Sequence, residues 1–193
     1  MTPSLLAIDS PLGTLRLLAA DDELVGLYLP EQAAPPGEPR RSRVLDLAAR
    51  QLDDYFAGKR RAFDLPVAPR GSGFQERVWS MLLRIPYGTT WTYGQLARAI
   101  GRPSASRAVG TANAANPISI IVPCHRVIAA SGALTGYAGG LAAKQWLLDH
   151  ERSARALPLP TTVVDVVAAV AEVVVVGGLG DRLGGDSSAG SRS

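Results

Sequence analysis

Cysteine is almost absent from this sequence: among 193 residues there is one, Cys124. A single cysteine excludes an internal disulfide and a four-cysteine metal site. An unpaired thiol is typical of a reducing compartment, so we expect a cytoplasmic protein. Residues 1–20 lack a basic start followed by an apolar run, and we expect no signal peptide. Since no uncharged stretch reaches the length of a membrane span, we expect no membrane as a partner.

The surroundings of Cys124 allow two interpretations. The cysteine lies in the segment 123–128, Pro-Cys-His-Arg-Val-Ile. Nearby His and Arg side chains lower the pKa of a thiol and favour the thiolate, which is the nucleophilic form. Free cysteines are also among the most buried residue types and usually act as small hydrophobic side chains. The motif alone therefore leaves a nucleophile and a buried structural thiol open.

Acidic residues are scarce in the middle of the chain. Residues 70–126, which we call the basic block, contain Glu76 as their one acid and carry a net charge of +6, whereas residues 1–69 carry −2. A block of one sign around the cysteine indicates a polyanionic partner, most simply nucleic acid. A solvated basic face is the alternative. The bases of the block are Arg70, Arg77, Arg84, Arg98, Arg102, Arg107 and Arg126.

The first third of the chain has the pattern of a small sheet with a helix. Turn signals between short apolar runs predict two or three antiparallel strands over residues 4–29. A proline-rich connection over 30–42 leads to a predicted helix over 43–57, which Ser42 can cap. One more strand is predicted over 62–67.

Two capping boxes predict helices in the second unit. In residues 72–75 and again in 92–95, a hydroxyl residue precedes a glutamine by three positions. After a tight turn at 101–103, Ser104 is predicted to cap a helix over 105–114. Two helices joined by a short glycine-containing turn are typical of a helix-turn-helix, although such turns also occur in ordinary helical domains.

The predicted helix over 105–114 consists almost entirely of small side chains, with Arg107 projecting from it. Small side chains let a helix approach a groove closely, or pack closely on another helix. The glycine-rich loop over 131–140 can let a ligand approach the backbone, or can be a plain connector. A last helix is predicted over 141–151.

These patterns predict an α/β (α+β) fold. Residues 1–66 form a small N-terminal antiparallel sheet plus a helix, and residues 70–151 form a mainly helical C-terminal domain with the helix-turn-helix and the cysteine loop. Residues 152–193 are rich in valine and alanine and then in glycine and serine. We expect this tail to be partly disordered, and the sequence assigns it no function.

Residues 74–151 resemble the O6-alkylguanine-DNA alkyltransferase family, the methylated-DNA–protein-cysteine methyltransferases, and residues 1–66 look like the variable N-terminal domain of that family. Many short matches in the same order make the resemblance specific. They are Phe74-Gln75, Val78-Trp79, Ile85-Pro86-Tyr87-Gly88, Thr92-Tyr93, Arg107-Ala108-Val109-Gly110, Asn116-Pro117, Pro123-Cys124-His125-Arg126-Val127-Ile128 and Gly136-Tyr137-Ala138-Gly139-Gly140-Leu141.

The resemblance implies a DNA repair protein whose active site is the cysteine loop. Cys124 would take the alkyl group from guanine O6 irreversibly, once per molecule and without a cofactor. His125 would act as general base through a water molecule, and Glu151 would orient His125 and stabilise its cation. Asn116 would brace this network, and Tyr93 would donate a proton toward the leaving guanine.

The resemblance also implies how DNA is bound. The expected partner is duplex DNA that carries O6-alkylguanine, with O4-alkylthymine as a further substrate, bound in the minor groove by a monomer that can cluster along DNA. The damaged base would be flipped out of the stack, and Arg107 would fill the gap. The implied DNA-binding residues are Arg107, Ala105, Ala108, Gly110, Thr92 and Arg126. The implied substrate pocket consists of Val127, Tyr137, Ala138, Gly139 and Ser119.

This sequence differs from some family members in two features, which bear on metal binding and on regulation. Some family members bind zinc in the N-terminal domain through cysteine and histidine, but this chain has one cysteine and two histidines, His125 and His150, both elsewhere. We therefore expect no metal. Other relatives carry a cysteine-rich regulatory domain and act as transcriptional sensors, and with one cysteine in this sequence we expect no such role.

Two further functions compete with suicidal repair. A lesion-binding module would bind alkylated DNA with an unreactive Cys124, and the presence of the cysteine argues against it. A cysteine hydrolase would turn over a small substrate and ignore DNA, and the basic block with its helix-turn-helix argues against it.

Overall fold

The computed structural model describes residues 2–156, so the prediction for residues 157–193 lies outside the described part. A four-stranded sheet with strand order β3-β2-β1-β4 opens the chain. Strands β1–β2 and β2–β3 pair antiparallel, and β4 pairs parallel to β1. The strands are β1 (Ser4–Ile8), β2 (Leu15–Ala20), β3 (Glu23–Tyr28) and β4 (Glu38–Pro39).

A two-residue turn fixes the β2–β3 hairpin. Asp21 and Asp22 have φ of 52° and 61°. Positive φ at both central residues is required by a type I′ turn, and aspartate tolerates this region better than most residues. The hairpin presents one apolar face, which includes Leu15, Leu17 and Leu24, to the core. The prediction of antiparallel strands over 4–29 is thus confirmed.

Helix α1 (Arg43–Phe56) packs on the sheet and begins where the sequence predicted. The Oγ of Ser42 accepts a hydrogen bond from the amide of Leu45. The predicted strand over 62–67 is wrong, because among these residues Val67 alone pairs, in an isolated bridge to Leu24. The side-chain amide of Gln51 instead bonds both the N–H and the carbonyl of Asp64, at 2.9 and 2.8 Å.

Helices dominate the rest of the described chain. Both predicted capping boxes are present, at Ser72 and Thr92. The predicted cap at Ser104 is wrong: α4 has Ala105 at its N-cap position, without a side-chain cap. The last helix continues five residues past its predicted end at Glu151. The elements are α2 (Gly73–Leu82), β5 (Trp91–Thr92), α3 (Tyr93–Ala99), α4 (Ser106–Ala114), a 3₁₀ turn (Cys124–Arg126), β6 (Val127–Ile128) and α5 (Leu141–Ala156).

The described residues share one hydrophobic core, to which the sheet, α1 and the C-terminal helices all contribute. The backbone of Leu27 bonds both Pro117 and Ser119, which ties β3 to the segment that precedes the cysteine. The indole N–H of Trp79 donates to the carbonyl of Ala112 at 2.8 Å and joins α2 to α4. The division of residues 1–151 into two domains stays a prediction. Among the described helices, none has the length and apolar character that crossing a membrane requires.

Candidate active site

Cys124 begins the 3₁₀ turn and has 3% of its surface exposed. The side-chain amide of Asn116 donates to its Sγ at 3.1 Å and to the carbonyl of Val122 at 2.8 Å. Burial raises the pKa of the Cys124 thiol, while the Asn116 hydrogen bond and the positive charge of Lys144 act in the opposite direction. The thiol therefore rests protonated, beside groups that stabilise the thiolate once it forms.

His125 is fully buried and bonded on one side only. Its Nε2 lies 2.9 Å from Oε1 of Glu151, which is also fully buried. Burial lowers the pKa of His125, and the hydrogen bond to Glu151 opposes this shift without reversing it. The neutral ring must keep its proton on Nε2, because that nitrogen faces a carboxylate. Nδ1, which has no protein hydrogen-bond partner, is then a free proton acceptor.

The Glu151 carboxylate accepts hydrogen bonds from four residues in three parts of the chain. Tyr55 donates to Oε1 at 3.0 Å, and the amide of Gly88 donates to Oε2 at 2.9 Å. Arg126 binds both oxygens, at 2.9 Å each. Burial alone would raise the pKa of Glu151, but the hydrogen bonds and charges of His125 and Arg126 outweigh it and hold the pKa well below its usual range. Glu151 is thus a permanent anion.

Arg126 requires a correction, because it was predicted to bind DNA. It is 7% exposed, it forms the ion pair with Glu151, and its Nη1 donates to the carbonyl of Ile85 at 2.7 Å. All three nitrogens of its guanidinium are bonded within the protein, which leaves it poorly placed to contact a phosphate. The other six arginines of the basic block are exposed. Sequence position alone could not separate this buried arginine from its solvated neighbours.

Tyr93 and Lys144 converge on the glycine-rich loop. The Tyr93 hydroxyl donates to the carbonyl of Thr135 at 3.2 Å, and Lys144 Nζ donates to the same oxygen at 3.0 Å. Lys144 Nζ also donates to the carbonyl of Val127 at 2.6 Å. Lys144 is fully buried, and that burial lowers its pKa. Sequence reasoning missed this residue, although a lysine within an otherwise apolar helix face is a signal.

The remaining predicted pocket residues occupy different depths. Tyr137 is half-buried, Ala138 is exposed, and Gly139 is buried against Leu29. A Cβ on Gly139 would lie 2.8 Å from Leu29 Cδ2, so this close approach requires glycine. Ser119 is fully buried, and its Oγ donates to Oε1 of Gln32 at 3.0 Å. Ser119 therefore links the segment that precedes Cys124 to the residues that follow β3.

The predicted DNA-binding residues other than Arg126 lie on α4 or at the start of α3. Arg107 and Ala108 are exposed, whereas Val109, Ala112 and Asn113 face the core. The predicted groove-facing residues Ala105 and Gly110 are partly exposed, and Thr92 caps α3. Helix α4 thus has one buried face and one outer face of small side chains around an arginine.

Two family models match the chain and together cover most of it. The first, described as "6-O-methylguanine DNA methyltransferase, ribonuclease-like domain", matches residues 6–69. The second, described as "6-O-methylguanine DNA methyltransferase, DNA binding domain", matches residues 73–153. The methylated-DNA–protein-cysteine methyltransferase of Mycolicibacterium paratuberculosis is 50% identical over 82% of this chain and 96% of that protein. The enzyme of the same name from Methanosarcina acetivorans is 49% identical over 75% of this chain and 96% of its own.

Solved structures give the same result. The structure of Mycobacterium tuberculosis OGT in complex with DNA is similar, with a TM-score of 0.75 and 48% identity over 78% of this chain and 94% of that chain. The structure of Mycobacterium tuberculosis O6-methylguanine methyltransferase matches with a TM-score of 0.73 and 45% identity, over 86% of this chain and 98% of that one. Similarity of this extent covers both the sheet and the helical part of the described chain.

Proposed function

Since this chain belongs to the 6-O-methylguanine DNA methyltransferase family and repairs alkylated DNA by alkyl transfer to a cysteine, we propose that Cys124 is the acceptor and that His125, Glu151 and Asn116 activate it. One observation carries the assignment. The only cysteine of the chain accepts a hydrogen bond from Asn116 and directly precedes a buried histidine that a carboxylate orients. A nucleophile with a base that a third group orients is the arrangement nucleophilic catalysis requires.

The transfer step follows from these protonation states. The Cys124 proton passes through a water molecule to Nδ1 of the neutral His125, and Glu151 stabilises the imidazolium that forms. The thiolate attacks the alkyl carbon, so an S–C bond forms while the C–O bond to guanine breaks. The guanine leaves with negative charge and takes a proton from Tyr93, and the proton that His125 accepted then restores the Tyr93 phenol through solvent. The product is a thioether, which these residues cannot hydrolyse, so each molecule reacts once.

We further propose that the substrate is O6-alkylguanine in duplex DNA, bound from the minor groove and flipped out of the stack. A base in the stack cannot reach the sulfur of Cys124, a residue that is 3% exposed, which supports extrusion of the base. The outer face of α4, with small side chains around Arg107, suits close approach to a groove, and Arg107 fills the vacated position. The unpaired thiol suits a reducing compartment, which supports action in the cytoplasm.

Intact-mass and peptide mass spectrometry with a duplex that carries one O6-methylguanine tests the assignment. We expect the mass of one methyl group on Cys124, unmodified guanine in the DNA and no second turnover. Cys124→Ala is expected to gain no mass and to keep lesion-selective binding. Transfer in that variant would refute the assignment, and lesion-selective binding by an unreactive wild type would assign the protein to the lesion-binding class.

A further inference from the structure

Tyr55 lies in the N-terminal part of the chain but bonds the carboxylate of the active site. It is the penultimate residue of α1, it is 0% exposed, and its hydroxyl donates to Oε1 of Glu151 at 3.0 Å. The same oxygen lies 2.9 Å from His125 Nε2. The partners are 96 positions apart in the sequence, so the fold alone brings them together.

The ring that carries the hydroxyl is packed among other aromatic side chains. The Tyr55 ring packs edge-on against Phe56 and Tyr87 and contacts Phe63, with centroid distances of 5.4, 6.1 and 5.4 Å. Its backbone carbonyl lies 2.8 Å from Nε2 of His150. Burial and the charge of Glu151 raise the pKa of Tyr55, so the side chain remains a phenol and a hydrogen-bond donor at every working pH.

We infer that Tyr55 is a positioning residue for alkyl transfer, through which the N-terminal part of the chain sets the orientation and the charge of the Glu151–His125 pair. This inference rests on the proposed function of Cys124. Carboxylate oxygens rotate about the last side-chain bond unless donors fix them. The Tyr55 hydroxyl holds Oε1 together with Arg126 Nη2, and this oxygen in turn orients the imidazole. The amide of Gly88 and Arg126 Nε hold Oε2.

The Tyr55 hydroxyl also weakens the negative potential that Glu151 exerts on His125. A donor on Oε1 draws off part of the negative charge that stabilises an imidazolium at Nε2. Its removal strengthens that charge, and the pKa of His125 then rises. The other titratable or charged groups around the pair remain in place in such a variant; they are Arg126, Tyr87, Lys144, Cys124 and His150.

Tyr55→Phe removes the hydroxyl and keeps the ring, so the aromatic packing survives. Tyr28→Phe is the matched control, because Tyr28 is a half-buried tyrosine of β3 in the same N-terminal part. Single-turnover transfer from an O6-methylguanine duplex is followed by rapid quench across a pH series, with thermal unfolding to confirm that both variants fold. We expect transfer by Tyr55→Phe to slow by about three- to tenfold, as one of several donors to a buried charge is lost. The acid limb of its pH profile moves to higher pH, and the control matches wild type.

A second measurement separates this inference from the proposed function. The chain has two histidines, so two-dimensional NMR of the imidazoles follows His125 directly, with a His150→Gln sample to assign the signals. We expect the His125 titration to move to higher pH in Tyr55→Phe, whether or not the protein transfers alkyl groups. An unchanged titration, or a rate and pH profile equal to those of Tyr28→Phe, would overturn the inference. If the wild type transfers no alkyl group but the His125 titration is still shifted in Tyr55→Phe, the proposed function is refuted. The link from Tyr55 through Glu151 to His125 is then retained.

Discussion

Burial lowers the pKa of His125, and the positive charge of Arg126 acts in the same direction. A carboxylate beside a buried imidazole favours the imidazolium. Here Arg126 binds both oxygens of Glu151 and neutralises it, and burial then leaves His125 uncharged. A neutral His125 with a free Nδ1 can accept the Cys124 proton, which an imidazolium could not do. The residue that sequence reasoning assigned to DNA is thus bound to the carboxylate beside His125.

Lys144 is the second residue whose role depends on burial. Lys144→Met keeps the length of the side chain and leaves the Val127 carbonyl without this donor, while Tyr93 still bonds Thr135. We expect the free energy of unfolding to fall by about 1–3 kcal/mol, the usual effect of an unsatisfied buried acceptor. We also expect slower transfer, because the glycine-rich loop loses an anchor. Urea unfolding and single-turnover transfer measure both.

Lys59→Met is the control for this prediction, because Lys59 is the other lysine of the chain and is exposed. Its stability is expected to change by no more than about 0.5 kcal/mol. Equal stability of the two variants would contradict an anchoring role for Lys144.

At the scale of a single element, two serines at helix starts can be compared for their effect on stability. Ser72 caps α2 within a capping box, whereas Ser104, which was also predicted to cap a helix, leaves α4 uncapped. Ser72→Ala is expected to lower the free energy of unfolding by about 1 kcal/mol, and Ser104→Ala by no more than about 0.3 kcal/mol. Thermal unfolding of both variants checks this. A larger loss for Ser104→Ala would show that the uncapped start of α4 is wrongly described.

The elements that sequence reasoning found are those with signals inside a few residues. The caps at Ser42, Ser72 and Thr92 and the hairpin turn of the sheet each depend on neighbours in the chain. The predicted strand over 62–67 failed because Gln51, 13 positions from Asp64, takes its backbone hydrogen bonds. Local propensity contains no information about such a partner.

In the candidate active site, too, the residues with neighbours close in the sequence were predictable and those with distant partners were not. Adjacent Cys124 and His125 are readable as a motif, and Glu151 was found through the family resemblance. Tyr55 could be assigned only to a helix face, because its partner Glu151 is 96 positions away. Lys144 contacts carbonyls 17 and 9 positions back, which no helical spacing predicts.

The N-terminal part of the chain supports the site at three points in the whole molecule. Leu27 bonds the backbone on both sides of Ile118, Gln32 accepts from Ser119, and Tyr55 donates to Glu151. Two of these contacts hold the segment that delivers Cys124, and the third holds the carboxylate that orients His125. The small sheet and α1 thus act as a rigid backing for the reacting groups.

The charge distribution of the whole molecule makes DNA binding sensitive to salt. Each arginine that contacts a phosphate adds about −0.9 to the slope of log affinity against log salt concentration. With six exposed arginines in the basic block, we expect the affinity for duplex to fall steeply as salt rises. Arg102→Gln, in the exposed turn between α3 and α4, is expected to reduce the slope by about one.

Arg41→Gln is the control, because Arg41 pairs with Asp46 outside the block. Fluorescence anisotropy of a labelled duplex measures all three proteins, and a flat dependence or equal slopes would contradict a DNA face formed by the basic block.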